Sequence, residues 1–202
     1  SACLGYNGTS GLLNYRCTGP GDPTVYGNGV WNIYAWNAGD NVGGSGAWTT
    51  GYSGYLTTPN LSFATTAFWT TAGSPSDYFG YLGCEVGADN HSWSAKRTNF
   101  TCGVYRITVN SHDDLAQVIV NGVTTTLPGA TSTPSVVYTG VLNSSSNVEF
   151  RVSEGVGSSY ADISIDLITT SLNGGTVTAD QTLCSPANPA QLNNLTSPSG
   201  GA

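Results

Sequence analysis

Several segments of the chain alternate between apolar and polar residues with a period of two, which is the pattern of a strand with one buried face. The clearest alternation runs through residues 105–110, 148–152 and 163–167. Apolar and aromatic runs predict earlier strands at residues 30–36, 63–71 and 79–84. No segment shows a convincing period of 3.6 residues, so the pattern predicts an all-β chain.

A hairpin is predicted at residues 117–127, where Asn121 and Gly122 separate two β-branched runs. An Asn-Gly pair suits a type I′ turn, because both central residues take a positive φ. Short strands joined by Gly- and Pro-containing turns predict an antiparallel β-sandwich or jelly-roll-like barrel over residues 1–170. An extended C-terminal strand segment follows this domain.

The composition changes in the C-terminal tail, residues 171–202. Residues 171–175 have the composition of a linker, 176–183 could form one more strand, and 188–202 are too rich in Pro, Asn, Ser and Gly to fold alone. The tail packs either along its own domain or on a sheet edge of a neighbouring copy. We favour the neighbour, and its assembly residues would be Thr176, Val177, Thr178 and Leu183.

Charged residues make up only 8% of the 202 residues, against about a quarter in a typical soluble domain. With five Lys and Arg and a net charge of −7, nucleic-acid binding is disfavoured, because it depends on basic residues. No apolar run approaches the roughly 18 residues of a membrane span. The scarcity of His, Glu and Lys leaves few groups for acid–base catalysis. The composition indicates a secreted, cell-surface protein without enzyme activity.

The five cysteines predict disulfides in an extracellular protein. Their spacing suggests two local disulfides, Cys3 with Cys17 and Cys84 with Cys102, which leaves Cys184 unpaired or intermolecular. Zinc binding is the weaker alternative, because the chain has no C-x-x-C pair and no nearby Cys/His spacing. Candidate N-glycosylation sequons, little more frequent than chance, stand at Asn7, Asn60, Asn90, Asn99, Asn143 and Asn194.

Asp113 and Asp114 form the candidate metal site, because they follow the strand at 105–110 and precede the hairpin. Two carboxylates at a strand end can chelate Ca²⁺ if loop oxygens complete the shell. The alternative is a turn in which Asp accepts backbone N–H groups. Nucleophilic catalysis is disfavoured because the chain lacks a G-x-S-x-G elbow. A glycosidase needs two flanking carboxylates, and nothing in the sequence brings two of its Glu residues together: Glu85, Glu149 and Glu154.

Aromatic residues are a further candidate for sugar contacts. Core packing is the commoner use of Trp, so we expect most of them in the core and one or two at a surface. The candidates are Trp31, Trp36, Trp48, Trp69 and Trp93, with Tyr52 and Tyr55.

Residues 29–168 resemble the protective-antigen-type β-barrel domain, a family that includes the flocculin lectins. The resemblance is carried by the aromatic strand 30–34, the segment 105–114 that ends in paired acids, and the strand and turn at 118–122. It implies that Asp113 and Asp114 are ligands of Ca²⁺, which contacts sugar hydroxyls in the lectin members. Residues 174–186 resemble the opening of tandem modules in secreted repeat adhesins of gliding bacteria, which implies a fragment of such an adhesin or a tail-donating protomer.

The sequence therefore predicts a non-enzymatic, extracellular structural or adhesive protein. It would be the protomer of a head-to-tail filament, with copies of itself as partners, joined by donation of the C-terminal strand. The alternative is a calcium-dependent carbohydrate-binding adhesin domain that uses Asp113 and Asp114. A polysaccharide-active enzyme is a distant alternative.

Overall fold

The computed structural model describes residues 19–39, 48 and 50–168, together with the backbone of two N-terminal strands. These strands, β1 (Ala2–Tyr6) and β2 (Leu13–Cys17), pair antiparallel as a separate two-stranded sheet. Strands are numbered in chain order throughout. The predicted tail, the assembly residues Thr176, Val177, Thr178 and Leu183, and Cys184, Asn7 and Asn194 lie outside the described residues.

The remaining strands form two sheets. The large sheet contains β3 (Gly27–Asn28), β4 (Trp31–Trp36), β5 (Tyr52–Thr58), β7 (Leu82–Gly83), β8 (His91–Thr98), β10 (Leu115–Val120), β11 (Val123–Leu127) and β13 (Val148–Glu154). Its order is β11-β10-β13-β8-β4-β5-β7, all antiparallel, and β3 pairs parallel with β8. The small sheet contains β6 (Phe63–Ala64), β9 (Gly103–Asp113), β12 (Ser135–Leu142) and β14 (Tyr160–Leu167), in the antiparallel order β12-β9-β14-β6.

The core lies between these two sheets. It is formed by the apolar residues that alternate with polar ones along the strands. On β9, Ile107 and Val109 are buried, and Phe150 and Val152 on β13 are buried in the same cluster. Each such side chain contributes about 1.5–3 kcal/mol when it is fully removed from water. Trp93 belongs to the same cluster and is 0% exposed, with its ring centroid 5.4 Å from that of Phe150. The predicted all-β, antiparallel sandwich is confirmed.

The Asn-Gly hairpin is confirmed as the connection between β10 and β11. Asn121 has φ +49° and Gly122 has φ +85°, the positive values of a type I′ turn. The two strands pair from Val120↔Val123 outward to Ala116↔Leu127. The exposed β11 is an edge of the large sheet.

Two predicted strands are largely wrong. In 63–71 the chain leaves β6 after Ala64 and forms a 3₁₀ turn at Thr65–Ala67, because the buried Thr65 hydroxyl accepts a hydrogen bond from the Ala161 N–H at 2.9 Å. In 79–84 only Leu82–Gly83 pairs, and Phe79 points fully into solvent. A second 3₁₀ turn, Pro75–Asp77, lies between them. Tertiary contacts have overridden the β propensity of these residues.

Cys84 and Cys102 are both disulfide-bonded. The side chains of Cys3, Cys17 and Cys184 lie outside the described residues, so the predicted pairing stays a prediction. Of the described sequons, Asn60, Asn90 and Asn99 are exposed and Asn143 is partly buried. Among residues that the structure describes, no helix has the length and apolar character needed to cross a membrane.

Candidate metal-binding site

Asp113 and Asp114 lie where the chain passes from the small sheet to the large sheet. Asp113 is the last residue of β9 and Leu115 is the first residue of β10, so Asp114 alone joins the two strands. The peptide bond between the two aspartates is cis. The paired acids therefore stand at one end of the sandwich, where strands of both sheets meet.

Strand β9 contains a β-bulge shortly before the two aspartates. Against β14, Val109 pairs with Ile163 but Ser111 pairs with Asp162, so Asn110 is an extra residue. Such a bulge changes which following side chains face inward, and His112 is buried. The His112 Nδ1–H donates to the carbonyl oxygen of Asp114 at 2.7 Å, since a carbonyl can only accept.

Glu154 joins the two aspartates from the adjacent strand. It is the last residue of β13, which pairs with β10 so that Ser153 lies opposite Leu115. One ligand atom from each of Asp113, Asp114 and Glu154 lies within 4.8 Å of the others. The three carboxylates are called the acidic triad below. Asp114 Oδ2 also accepts the Gly155 N–H at 3.0 Å, which ties the two chain segments together.

Glu154 differs from its two neighbours in burial. Its side chain is 0% exposed, and neither carboxylate oxygen has a hydrogen-bond partner among the described residues. Asp113 and Asp114 are partly exposed. Glu154 therefore forms the floor of the triad and the aspartates form its solvent-facing rim. A buried carboxylate without a partner is costly, so such a group usually binds a proton or a cation.

The pKa values of the triad reflect this unbalanced negative charge. Burial raises the pKa of Glu154 to about 7, and the charges of Asp114, Asp113 and Asp89 act in the same direction. Burial raises the pKa of Asp113 to about 6, helped by the hydrogen bond and the charge of Asp114. The ion pairs found in the described part of the chain use Lys96, Arg106 and Arg151, and none of them reaches the triad.

The triad fits a hard divalent cation. Ca²⁺ binds six to eight oxygen ligands and accepts carboxylates in monodentate or bidentate fashion. The triad supplies oxygen ligands only, and its two aspartates are partly exposed to solvent. The structure adds Glu154 to the predicted pair Asp113 and Asp114, which are neighbours in sequence. Calcium binding itself stays a prediction.

Sequence reasoning missed Glu154 and the nearby Asp89. The sequence offers Glu154 only as a candidate glycosidase acid, because no local pattern shows that β13 pairs with β10. Asp89 Oδ1 accepts the Gly157 N–H at 3.0 Å, so it fastens the loop that follows Glu154. A fourth acid at this end of the sandwich adds to the negative potential of the site.

A buried Ser–His pair joins the start of β8 to the loop before β14, but its environment is unsuited to hydrolysis. His91 Nε2 is 2.9 Å from Ser159 Oγ, and both residues are 0% exposed. Burial lowers the pKa of His91. No substrate can reach a hydroxyl that solvent does not reach, so the pair stabilises the core.

No protein-family model matches the chain, and no curated protein sequence matches it. Among solved structures, the PA14 domain of the MpAFP antifreeze protein is 12% identical, with a TM-score of 0.48 over 71% of this chain and 85% of that one. The epithelial adhesin 9 A domain from Candida glabrata, in complex with Galβ1-3GlcNAc, is 10% identical, with a TM-score of 0.42 over 73% of this chain and 86% of that one.

A ruminal GH26 endo-β-1,4-mannanase is 21% identical, with a TM-score of 0.27 over 39% of this chain and 18% of that one. At these values none of the similarities carries an activity or a ligand to this chain.

Proposed function

We propose that the protein is an extracellular adhesive domain that binds saccharides through a Ca²⁺ ion held by Asp113, Asp114 and Glu154. One observation carries the proposal: Glu154 is a fully buried carboxylate that has no hydrogen-bond partner among the described residues and lies within 4.8 Å of two further carboxylates. Hydrogen bonding within the described chain leaves the Glu154 carboxylate unsatisfied, and a cation would satisfy it.

Each residue of the proposed Ca²⁺ site has a distinct role. Glu154 supplies a ligand from the dry side, and Asp113 and Asp114 supply ligands from the open side. His112 and Gly155 hold Asp114 by its carbonyl oxygen and its carboxylate, so the rim is positioned before anything binds. A bound Ca²⁺ would offer open coordination positions, which neighbouring hydroxyls of a saccharide can fill in place of water.

Two features support the extracellular and non-enzymatic parts of the proposal. The disulfide-bonded Cys84 and Cys102 are typical of an oxidising compartment. The triad also places three carboxylates around one point, one of them 0% exposed, whereas a glycosidase uses two carboxylates that flank its substrate. The triad is therefore better suited to hold a cation than to flank a glycosidic bond.

The test is a glycan array probed in Ca²⁺ and again in EDTA, with wild type, Glu154→Gln and the control Glu85→Gln. Glu85 is exposed, so its variant changes charge without touching the triad. We expect a set of glycans that wild type and Glu85→Gln bind only with Ca²⁺, and that Glu154→Gln does not bind. If Ca²⁺ adds no glycan signal to wild type, the proposal is wrong.

Assembly into a filament is a second candidate function, favoured by an apolar cleft between two free sheet edges. Among the described strands, β11 ends the large sheet and β12 ends the small sheet. Between them lies a cavity of about 240 Å³, lined mainly by Val120, Val123, Val137 and Tyr138. An additional strand can pair with such an edge and place its side chains in the cleft. The segment 176–183 of a neighbouring copy is the proposed donor.

Two variants test this second candidate by mass photometry. Deletion of residues 174–202 removes the donor, and Val123→Lys places a charge in the cleft at a residue that is 72% exposed. We expect wild type to form a concentration-dependent ladder of multimers and both variants to stay monomeric. Multimers of the deletion variant, or a wild type that is monomeric at every concentration, would exclude strand donation.

A further inference from the structure

The large sheet carries a second set of aromatic residues on the face that is turned away from the core. Along β4, Trp31 and Ile33 belong to the core cluster, whereas Tyr34 and Trp36 do not, although both are buried. This opposite side is called the outer face. Successive strand residues point to opposite faces, so it also carries alternate residues of β8 and β13.

The aromatic rings of the outer face contact one another. Trp36 lies with its ring centroid 5.6 Å from that of Tyr52 and 4.7 Å from that of Trp48, the latter edge to face. The Trp36 Nε1–H donates to the carbonyl oxygen of Trp48 at 3.1 Å. This bond holds Trp48 over the sheet while its side chain stays partly exposed. Core packing does not account for Trp48.

Charged residues stand beside these rings in a fixed network. The Glu149 carboxylate accepts hydrogen bonds from Arg151 Nε at 2.6 Å and from Ser94 Oγ at 2.7 Å, and Lys96 Nζ lies 3.7 Å away. Burial opposes ionisation of Glu149, but these partners hold its pKa below its usual value. Glu149 is therefore an anchor that fixes the positions of Arg151 and Lys96.

A cavity of about 240 Å³ opens between the rings and the charges. It is lined by Pro23, Thr24, Trp36, Trp48, Lys96, Glu149 and Arg151. The guanidinium carbon of Arg151 lies 5.1 Å from the centre of the Trp48 ring. The volume is below the roughly 300–1,000 Å³ of pockets for drug-sized ligands, so the occupant is a small ring or a terminal unit.

The lining selects the chemistry of that occupant. The indole rings form an apolar wall, and the described hydrogen bonds of Arg151 use only its Nε and Nη2, so further N–H groups remain for acceptor oxygens. A pyranose ring combines a C–H face that packs on indole with a rim of oxygens that accept hydrogen bonds. We propose that this cavity is a cation-independent binding site for a single saccharide unit.

This site is separate from the acidic triad. Glu149 and Glu154 are five residues apart on β13, which corresponds to about 17 Å along a strand. They also point to opposite faces of the sheet, because their positions differ by five, an odd number, and successive residues alternate between the faces. Occupation of one site therefore needs no ligand at the other, and the outer face would extend the adhesive surface rather than complete the cation site.

Binding is tested in EDTA, with methyl glycosides of glucose, mannose, galactose, N-acetylglucosamine and glucuronic acid as probes. Saturation-transfer NMR detects contact, and tryptophan fluorescence gives the affinity. We expect at least one glycoside to bind wild type. Trp48→Ala should weaken that binding at least about tenfold, because a central aromatic contact commonly supplies a large share of affinity.

Three further variants make the result specific. Thr24→Arg fills the mouth of the cavity from an exposed position and should also abolish binding, which covers the case in which Trp48→Ala is poorly folded. Phe79→Ala removes an exposed aromatic ring elsewhere and should change nothing. Glu154→Gln should bind as wild type does, because it alters only the triad. If no glycoside binds in EDTA, or if Thr24→Arg and Trp48→Ala bind like wild type, the inference is wrong.

Discussion

Glu149 and Glu154 lie on the same strand and are both buried, yet their surroundings are opposite. Glu149 is surrounded by donors: Arg151, Ser94 and Lys96 hold its pKa below its usual value despite burial. Glu154 has no donor among the described residues, and burial together with neighbouring carboxylates raises its pKa to about 7. Burial alone therefore does not identify a functional acid. The lack of a partner among the described residues is what makes Glu154 the candidate, because its charge is then open to balance by a bound cation or proton.

The largest expected effect comes from removing a hydrogen-bond donor of Glu149. Arg151→Ala removes two hydrogen bonds from a carboxylate that is 5% exposed, and loss of one partner of a buried ion pair costs about 3 kcal/mol. Chemical denaturation measures the free energy of unfolding. Arg106→Ala is the control, because its pair with Asp166 is half exposed and contributes about 0–1 kcal/mol. Equal losses in both variants would contradict the anchoring role of Glu149.

Glu154, which has no hydrogen-bond donor among the described residues, should respond to Ca²⁺ instead. A ligand that binds only the folded state at 100 times its Kd adds about 2.7 kcal/mol to the free energy of unfolding. We expect a rise of this size for wild type at that Ca²⁺ concentration, and about 1.4 kcal/mol or less for Glu154→Gln, if its affinity is at least about tenfold weaker. Thermal melts in Ca²⁺ and in EDTA measure it. Identical shifts in the two proteins would place the cation elsewhere.

A change of pH should affect the free energy of unfolding in opposite directions through Glu154 and Glu149. The pKa of Glu154 is higher in the folded state than in the unfolded state, so the metal-free folded protein binds more protons between about pH 4.5 and pH 7. Its free energy of unfolding should therefore rise as the pH falls through this window. Glu149 acts oppositely, because its lowered pKa gives stability that is lost only as the pH falls below its unfolded value.

Denaturation in EDTA at pH 8, 7, 6 and 5 measures this slope. Glu154→Gln should flatten the part of the slope near pH 7, since its side chain does not titrate, whereas Tyr26→Phe should leave that part unchanged. A wild type whose stability falls steadily from pH 8 to pH 5 would show that Glu154 is not held in an unfavourable charged state.

The smallest expected effect is at the edge of the Glu149 network. Tyr26 donates its hydroxyl to Glu149 at 3.3 Å, and burial, followed by the Glu149 charge, raises the pKa of Tyr26 to about 12. Tyr26→Phe should lower the free energy of unfolding by about 0.5–1 kcal/mol. Calcium affinity, measured in the same preparation, should not change. A loss larger than that of Arg151→Ala would mean that Tyr26, rather than Arg151, is the main support of Glu149.

Local patterns predicted part of this arrangement. The alternation of 105–110 and the Asn-Gly turn placed Asp113 and Asp114 between a strand and a hairpin, because each of these signals depends only on neighbouring residues. Glu154 could not be found in this way, since it reaches the aspartates through the pairing of β13 with β10. Register between strands that are distant in sequence is set by the packed core, and no local spacing records it.

The bulge at Asn110 and the 3₁₀ turn at Thr65–Ala67 could not be predicted from the sequence for the same reason. The bulge becomes visible only in the register of β9 against β14, and the turn depends on a hydrogen bond from Ala161 to a Thr side chain. Likewise, the sequence offered Trp36 and Trp48 among several aromatic residues, without showing that they lie on the outer face. The residues that share one face of a sheet can be identified only when the strand order is known.

Isothermal titration of Ca²⁺ into metal-free protein at pH 7.5 tests the central claim most directly, with wild type and Glu154→Gln compared at equal concentration. We expect one Ca²⁺ per chain in wild type and an affinity at least about tenfold weaker in the variant, since even residues that only support metal ligands are typically worth 10- to 100-fold in affinity. Absence of binding heat in wild type, or equal affinity in the two proteins, would contradict a cation site built on Glu154.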